Sequence, residues 1–304
     1  MTQINSVFLL MAAVIAAGFL LKRAGLVGDQ DYRILFKLIV GIVIPCLILS
    51  NFKNVTLTPA YLSLFVVACL YGLALSGLSY LLLRGKTREQ KGMAVLNFAG
   101  INVGFIGIPL AEALFGQQAM PAIVAIHGGN AVTLYAFCIL HAQLYTDGGA
   151  DFGSALRRLV KSPPLIALAA ALLMAATGLR LPAFCYTFTD TVSKINTPLS
   201  MLAVGMTVDF FIEAGERRLI GQMISLRYLV AAVAAALLWR FAPYRPAELY
   251  PLMLFVLLPG SINCIAYCSE YGFHPKAAAL FNNLTNLVSF AALWLVFGLL
   301  LPPL

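Results

Sequence analysis

Apolar residues run along this chain in long uninterrupted blocks, separated by short clusters of charge, proline and glycine. A helix that crosses a bilayer needs ~20 largely apolar residues. On that scale ten blocks qualify: Ile4–Leu21, Ile34–Phe52, Ala60–Leu83, Gly92–Phe115, Ala119–Tyr145, Pro163–Leu179, Ser193–Ile212, Leu219–Ala242, Leu249–Tyr271 and Ala277–Leu301. The pattern predicts an all-α integral membrane protein of ten transmembrane helices. Segment seven fits it least well, because Lys194, Asn196 and Thr197 stand at its start. The start "MTQINS" has no basic stretch, so the first block reads as a retained span rather than a cleaved signal.

Composition agrees with the pattern. Of 304 residues, 61% are hydrophobic and 11% charged, and mean hydropathy is +0.91. Soluble domains carry about 25% charged residues, so this chain lacks the polar surface to cover a water-soluble globule. The net charge of +8 does not suggest a nucleic-acid partner, because the basic residues punctuate apolar runs instead of forming a soluble patch. They report topology. One set of alternate loops holds fourteen Lys and Arg, the other five, and Arg227 lies inside segment eight. The bias predicts that both termini face away from the cytoplasm.

With that start, segments one and six run in opposite directions, and a five-plus-five division gives two inverted repeats. Pro45 in segment two and Pro198 in segment seven are 153 residues apart; Pro109 in segment four and Pro259 in segment nine are 150 apart. The repeats are 1–145 and 163–304, joined by the polar linker 146–162, which is too short for another domain. A single membrane domain results.

Segments four and nine are apolar enough to span, yet carry helix breakers at their centres. Segment four contains Asn97, Gly100, Asn102, Gly104, Gly107 and Pro109; segment nine contains Pro259, Gly260, Ser261 and Asn263. Broken backbone is tolerated at membrane depth only inside protein or beside a cavity. Proline suits the first turn of a helix, so Pro109 and Pro259 are expected to open second half-helices whose amino ends meet near the midplane. A helix amino end presents unpaired N–H groups and roughly +0.5 of charge. Two of them form an anion site without a buried Lys or Arg. Asn97, Asn102, Ser261 and Asn263 would add neutral donors, and Gly104 would allow close approach. Asn130 in segment five and Asn282 and Asn286 in segment ten would wall the cavity or serve packing. His127 is either a proton carrier or a satisfied donor. Glu112 is either a coupling carboxylate or a group in water at the outer mouth. Cys264 and Cys268 read as small packing residues. No paired cysteine motif suggests metal, and no cofactor is expected.

The motifs "NVGFIGIPLAEALFG", "SMLAVGMTV" and "LPGSINCIAYCSEYG" resemble those of bacterial members of the auxin efflux carrier family, within the bile acid/arsenite/riboflavin transporter superfamily. The resemblance implies a secondary carrier of small organic anions in the cell membrane, similar to malonate or malate permeases. It implies a homodimer, with segments one, two, six and seven as scaffold and the other six as a moving, elevator-type transport domain. H+ or Na+ would be the coupling ion. A sodium-coupled symporter of the bile-acid type is the alternative. An intramembrane enzyme is remote, since neither HExxH nor a pair of midplane aspartates occurs.

Overall fold

The computed structural model describes residues 2–28, 31–53, 58–208 and 216–300. Every regular element among them is helical. In chain order they are α1 (Thr2–Arg23), α2 (Tyr32–Leu38), α3 (Ile44–Phe52), α4 (Pro59–Leu78), α5 (Arg88–Ala99), α6 (Ile108–Phe115), α7 (Met120–Val132) and α8 (Ile139–Gln143). There follow α9 (Phe152–Val160), α10 (Pro163–Thr177), α11 (Ala183–Ser193), α12 (Asn196–Met206), α13 (Arg217–Phe241), α14 (Pro246–Leu257), α15 (Asn263–Glu270) and α16 (Pro275–Leu295). Short π-helical turns join α2 to α3 and α7 to α8 without ending either rod.

Among the described residues six helices are long and apolar enough to cross a membrane: Asn5–Arg23, Tyr32–Asn51, Pro59–Leu82, Gln117–Gln143, Arg217–Phe241 and Pro275–Leu299. A seventh candidate is α9 with α10, bent by 57°. The chain is thus a multi-pass membrane protein. Large apolar side chains such as Leu9, Leu62, Phe184 and Leu229 point outward, as lipid contact requires, while the polar residues cluster inside.

At the expected segment seven, Ser193–Ile212, a turn at Lys194 separates α11, which ends at Ser193, from α12, which covers Asn196–Met206. The segment's expected end at Ile212, and that of segment ten at Leu301, lie outside the described residues. The linker 146–162 contains α9. Asp151 accepts from the Ser154 amide at 3.0 Å and so starts α9, whose Phe152, Leu156 and Val160 are exposed along one side.

Packing divides the helices into two groups. In one, α1 lies on α12, and α3 lies on α10 and α11. Here backbone meets backbone: a Cβ on Gly205 would stand 2.0 Å from the Ile15 carbonyl oxygen, and one on Gly18 2.2 Å from that of Leu202. In the other group α4 lies on α7, α13 on α14, and α15 on α5 and α16. The second group contains the broken segments.

Each break has a local cause. The α5 helix starts on a capping box in which Thr87 and Gln90 exchange bonds of 3.2 and 3.3 Å. It stops where Gly100 turns extended (φ −66°, ψ 131°). The chain resumes as a π-turn at Val103–Gly107 that runs directly into α6. In the other segment α14 ends at Leu257, and Leu258 is extended before α15 begins at Asn263. The unwound stretches lie antiparallel, with Ile101 opposite Gly260. The Asn102 amide donates to the Pro259 carbonyl at 3.0 Å, and the Ser261 amide to that of Gly100 at 3.2 Å. Exposed backbone groups are costly in lipid; here the two breaks satisfy one another.

Candidate functional site

The remaining polar groups of the crossing are met by side chains from neighbouring helices. Asn130 on α7 donates to the Ile101 carbonyl at 3.1 Å, and Asn282 on α16 donates to that of Gly260 at 2.6 Å. Thr285 accepts from the Gly260 amide at 3.0 Å, and Ser289 donates to the Leu257 carbonyl at 2.7 Å. Two asparagines, one per break, therefore hold the carbonyls of the two residues that face each other across the crossing.

Beside the crossing is a small cavity of ≈ 20 Å³, lined among others by Asn102, Gly104, His127, Asn130, Ser261 and Asn263. Six of the twelve site candidates meet there. The first residues of both second half-helices, Gly104 with Phe105 and Asn263, form part of its wall. Asn102 uses its Oδ1 to accept from the Phe105 amide at 3.3 Å, capping that half-helix. Its Nδ2 is buried without a partner, and so are both ring nitrogens of His127. Such groups cost about 1–3 kcal/mol each when left unmet in a dry site. A Cβ on Gly104 would stand 3.1 Å from Ile44 and 3.5 Å from the His127 ring, so glycine keeps space beside the imidazole. The cavity has room for about one water molecule. Val40, Ile44 and Pro164, from the first packing group, line it as well.

A larger cavity of ≈ 420 Å³ adjoins it and shares Val40, Tyr135 and Asn263 with it. Its wall carries Lys37, Arg158 and Lys161, all from the basic set of loops. Arg158 pairs with Glu270 and lies 5.6 Å from the centre of the Tyr267 ring.

The other six candidates lie elsewhere. Asn97 is one turn before the break and does not line the cavity; its Nδ2 donates to the Met93 carbonyl at 2.9 Å and contacts the Cys268 sulfur at 3.4 Å. Asn282 and Asn286 stand behind the Gly260 break, bonded to each other at 3.3 Å. Glu112 is half-buried and bonds Thr197 on α12 at 3.0 Å. The prolines do not open the second half-helices as expected. Pro109 lies within the first turn of α6, beyond a π-turn closed by Gly107 N–H to Asn102 O at 3.1 Å. That widened turn already lacks the ordinary ladder, so the proline ring fits without starting a helix. Pro259 lies in the extended stretch itself, four residues before α15, where its carbonyl is used.

One residue is central that the expectations kept outside the site. Arg227 on α13 is 1% exposed. Its guanidinium donates to the carbonyls of Asn97, at 3.4 Å, and of Phe98. It also donates to those of Leu258 and Pro259, at 3.2 and 3.3 Å. The available signal was a lone arginine in an apolar span, which is costly enough to mark a functional place.

The family described as membrane transport protein matches residues 1–145 and 152–296. A protein of Methanocaldococcus jannaschii described as an uncharacterized transporter is 28% identical over 218 residues, 66% of this chain and 68% of the relative. One of Methanothermobacter thermautotrophicus, described in the same words, is 25% identical over 201 residues, 65% of each chain. The chain thus spans slightly under two thirds of that second relative's length.

Proposed function

Because the chain belongs to the membrane transport protein family, the auxin efflux carrier family that its motifs resemble, we propose that it is a secondary transporter of small organic anions, mono- or dicarboxylates, with the substrate carboxylate held at the crossing. The observation that carries this reading is the set of buried, unpartnered polar atoms, Asn102 Nδ2 and the His127 nitrogens, facing a cavity where two half-helices begin. A helix amino end and neutral N–H donors suit an anion and leave a cation unmet. His127 is also the group in this wall that can carry a proton.

The mechanism follows from the packing. The group built on α1, α2, α3, α10, α11 and α12 is the scaffold; the group containing both breaks is the transport domain. At ≈ 20 Å³ the cavity is too small for a carboxylate, and Val40, Ile44 and Pro164 of the scaffold form part of its wall. Substrate entry therefore requires the crossing to slide past the scaffold, an elevator-type alternating access. Two inverted five-helix repeats supply the symmetry for this motion. Asn130 and Asn282 play like roles at their breaks and are 152 residues apart, close to the offsets of the proline pairs. A homodimer joined through the scaffolds would anchor the moving parts. Uptake into proteoliposomes from a panel of mono- and dicarboxylates tests the function. At least one member should be carried and compete with the others; transport of none, with cations or neutral solutes carried instead, would refute it.

Lys37 and Lys161 steer the anion through the larger cavity, its vestibule, without holding it. Lys37→Gln with Lys161→Gln should raise KM about three- to tenfold, leave maximal velocity nearly unchanged and flatten the dependence on ionic strength. A fall in maximal velocity at constant KM would assign them another role. In the cell membrane both termini should face away from the cytoplasm. Reporters fused at each end should be inactive where cytoplasmic folding is required, and a cytoplasmic signal at either end would break the inverted-repeat reading.

A further inference from the structure

The two first half-helices, α5 and α14, end against each other at the crossing. A helix carboxyl end carries roughly −0.5 of charge and unpaired carbonyls. Two such ends amount to about one negative charge, and one guanidinium balances it. Arg227 supplies that charge from α13, with one Nη on the α5 end (Asn97, Phe98) and the other on the α14 end (Leu258, Pro259). Among the described residues no carboxylate pairs with it. The partner of this buried cation is backbone alone.

Carbonyl oxygens converging from two unwound helices are also what a dehydrated alkali cation requires. We infer that Arg227 is a resident cation in the place where a coupling sodium ion would sit, so that the two breaks are held open by a permanent charge and not by a bound ion. The carrier then uses no sodium at the crossing. The charge travels with the transport domain, because α13 packs on α14 and α5. It is not among the residues that line the Asn102 cavity and so does not need to touch the substrate. This rests on the reading of the crossing as the site of a carrier, but its test needs no substrate.

Thermal unfolding of the purified full chain is measured in equal concentrations of sodium chloride and choline chloride. Wild type should melt within about 1 °C in the two salts; a sodium-specific rise of several degrees would overturn the inference. Arg227→Ala leaves four carbonyls unmet and should melt lower in choline by at least about 5 °C. It should then gain a response that wild type lacks, recovering part of the loss with sodium or with millimolar ethylguanidinium. An Arg227→Ala protein that melts like wild type, or that is destabilised and indifferent to both cations, would refute the resident-cation role. If Arg227→Ala does not fold, Arg227→Lys decides. A compact ammonium should keep the fold with a lower midpoint and no sodium response; a sodium response in Arg227→Lys equal to one in wild type would refute the idea. Failure of the carboxylate panel would leave all of these melts unchanged, so the two readings fail separately.

Discussion

Asn102→Asp should abolish anion transport while leaving the protein folded. The aspartate keeps the Oδ1 that caps the half-helix through the Phe105 amide, so the break retains its geometry. It replaces the unpartnered Nδ2, the group placed to donate to substrate, with an oxygen that bears charge. Two like charges ~4 Å apart cost about 4 kcal/mol at an effective dielectric constant near 20, which is roughly a thousandfold in affinity. Asn102→Ala removes the donor and the cap without adding charge. The loss of one charge-assisted hydrogen bond, about 1.5–3 kcal/mol, gives a ten- to hundredfold effect. The order wild type, alanine, aspartate is the signature. Uptake by Asn102→Asp at the alanine level or above would remove the carboxylate from this position.

The second large effect concerns the scaffold. Gly205→Ala should lower stability by at least about 2 kcal/mol, because the new methyl would stand 2.0 Å from the Ile15 carbonyl oxygen and 3.0 Å from the Phe19 amide. Neither is a flexible side-chain end that can swing away. The α1 and α12 backbones must separate, and Gly18 makes the reciprocal contact with Leu202, so the strain has no outlet along the seam. Gly221→Ala in α13 is the control: nothing lies within 4 Å of its Cβ, and alanine there should be neutral or stabilising by about 0.5–1 kcal/mol. Equal melting of the two variants in detergent would show that the α1–α12 seam does not limit stability.

The comparison of pattern with structure is instructive residue by residue. The positions of the two breaks were legible, because Gly100 with Asn102, and Pro259 with Gly260 and Ser261, sit in runs too apolar to contain them by accident of solvation. Which residue performs the break was not. Proline at the start of a helix is a rule about isolated helices; here the π-turn at Val103–Gly107 and the antiparallel pairing of Ile101 with Gly260 shift both starts. Asn97 and Asn102 are five residues apart in sequence, but the extended Gly100 intervenes, and only Asn102 lines the cavity. Asn282 and Asn130 looked like members of one wall. Each serves its own break, and Asn130 alone also lines the cavity, which only the tertiary placement of α16 and α7 reveals. Arg227 was conspicuous as an isolated charge, but its targets come from two other segments 129 and 31 residues away. No local pattern encodes that. Nor was α11 legible: it carries Asp190, whose partners Ser50 and Lys53 lie at the end of α3.

The central claim is that an anion is held at the crossing by helix amino ends and neutral donors. The most direct measurement is a structure determined with the best carboxylate from the transport panel. The account predicts its carboxylate between Asn102, His127 and Asn263, with backbone or amide donors at ~2.7–3.2 Å and Val40 and Ile44 drawn back. A carboxylate seated on the guanidinium of Arg227, or stopped in the vestibule on Lys37 and Lys161 with the Asn102 cavity still closed, would contradict it.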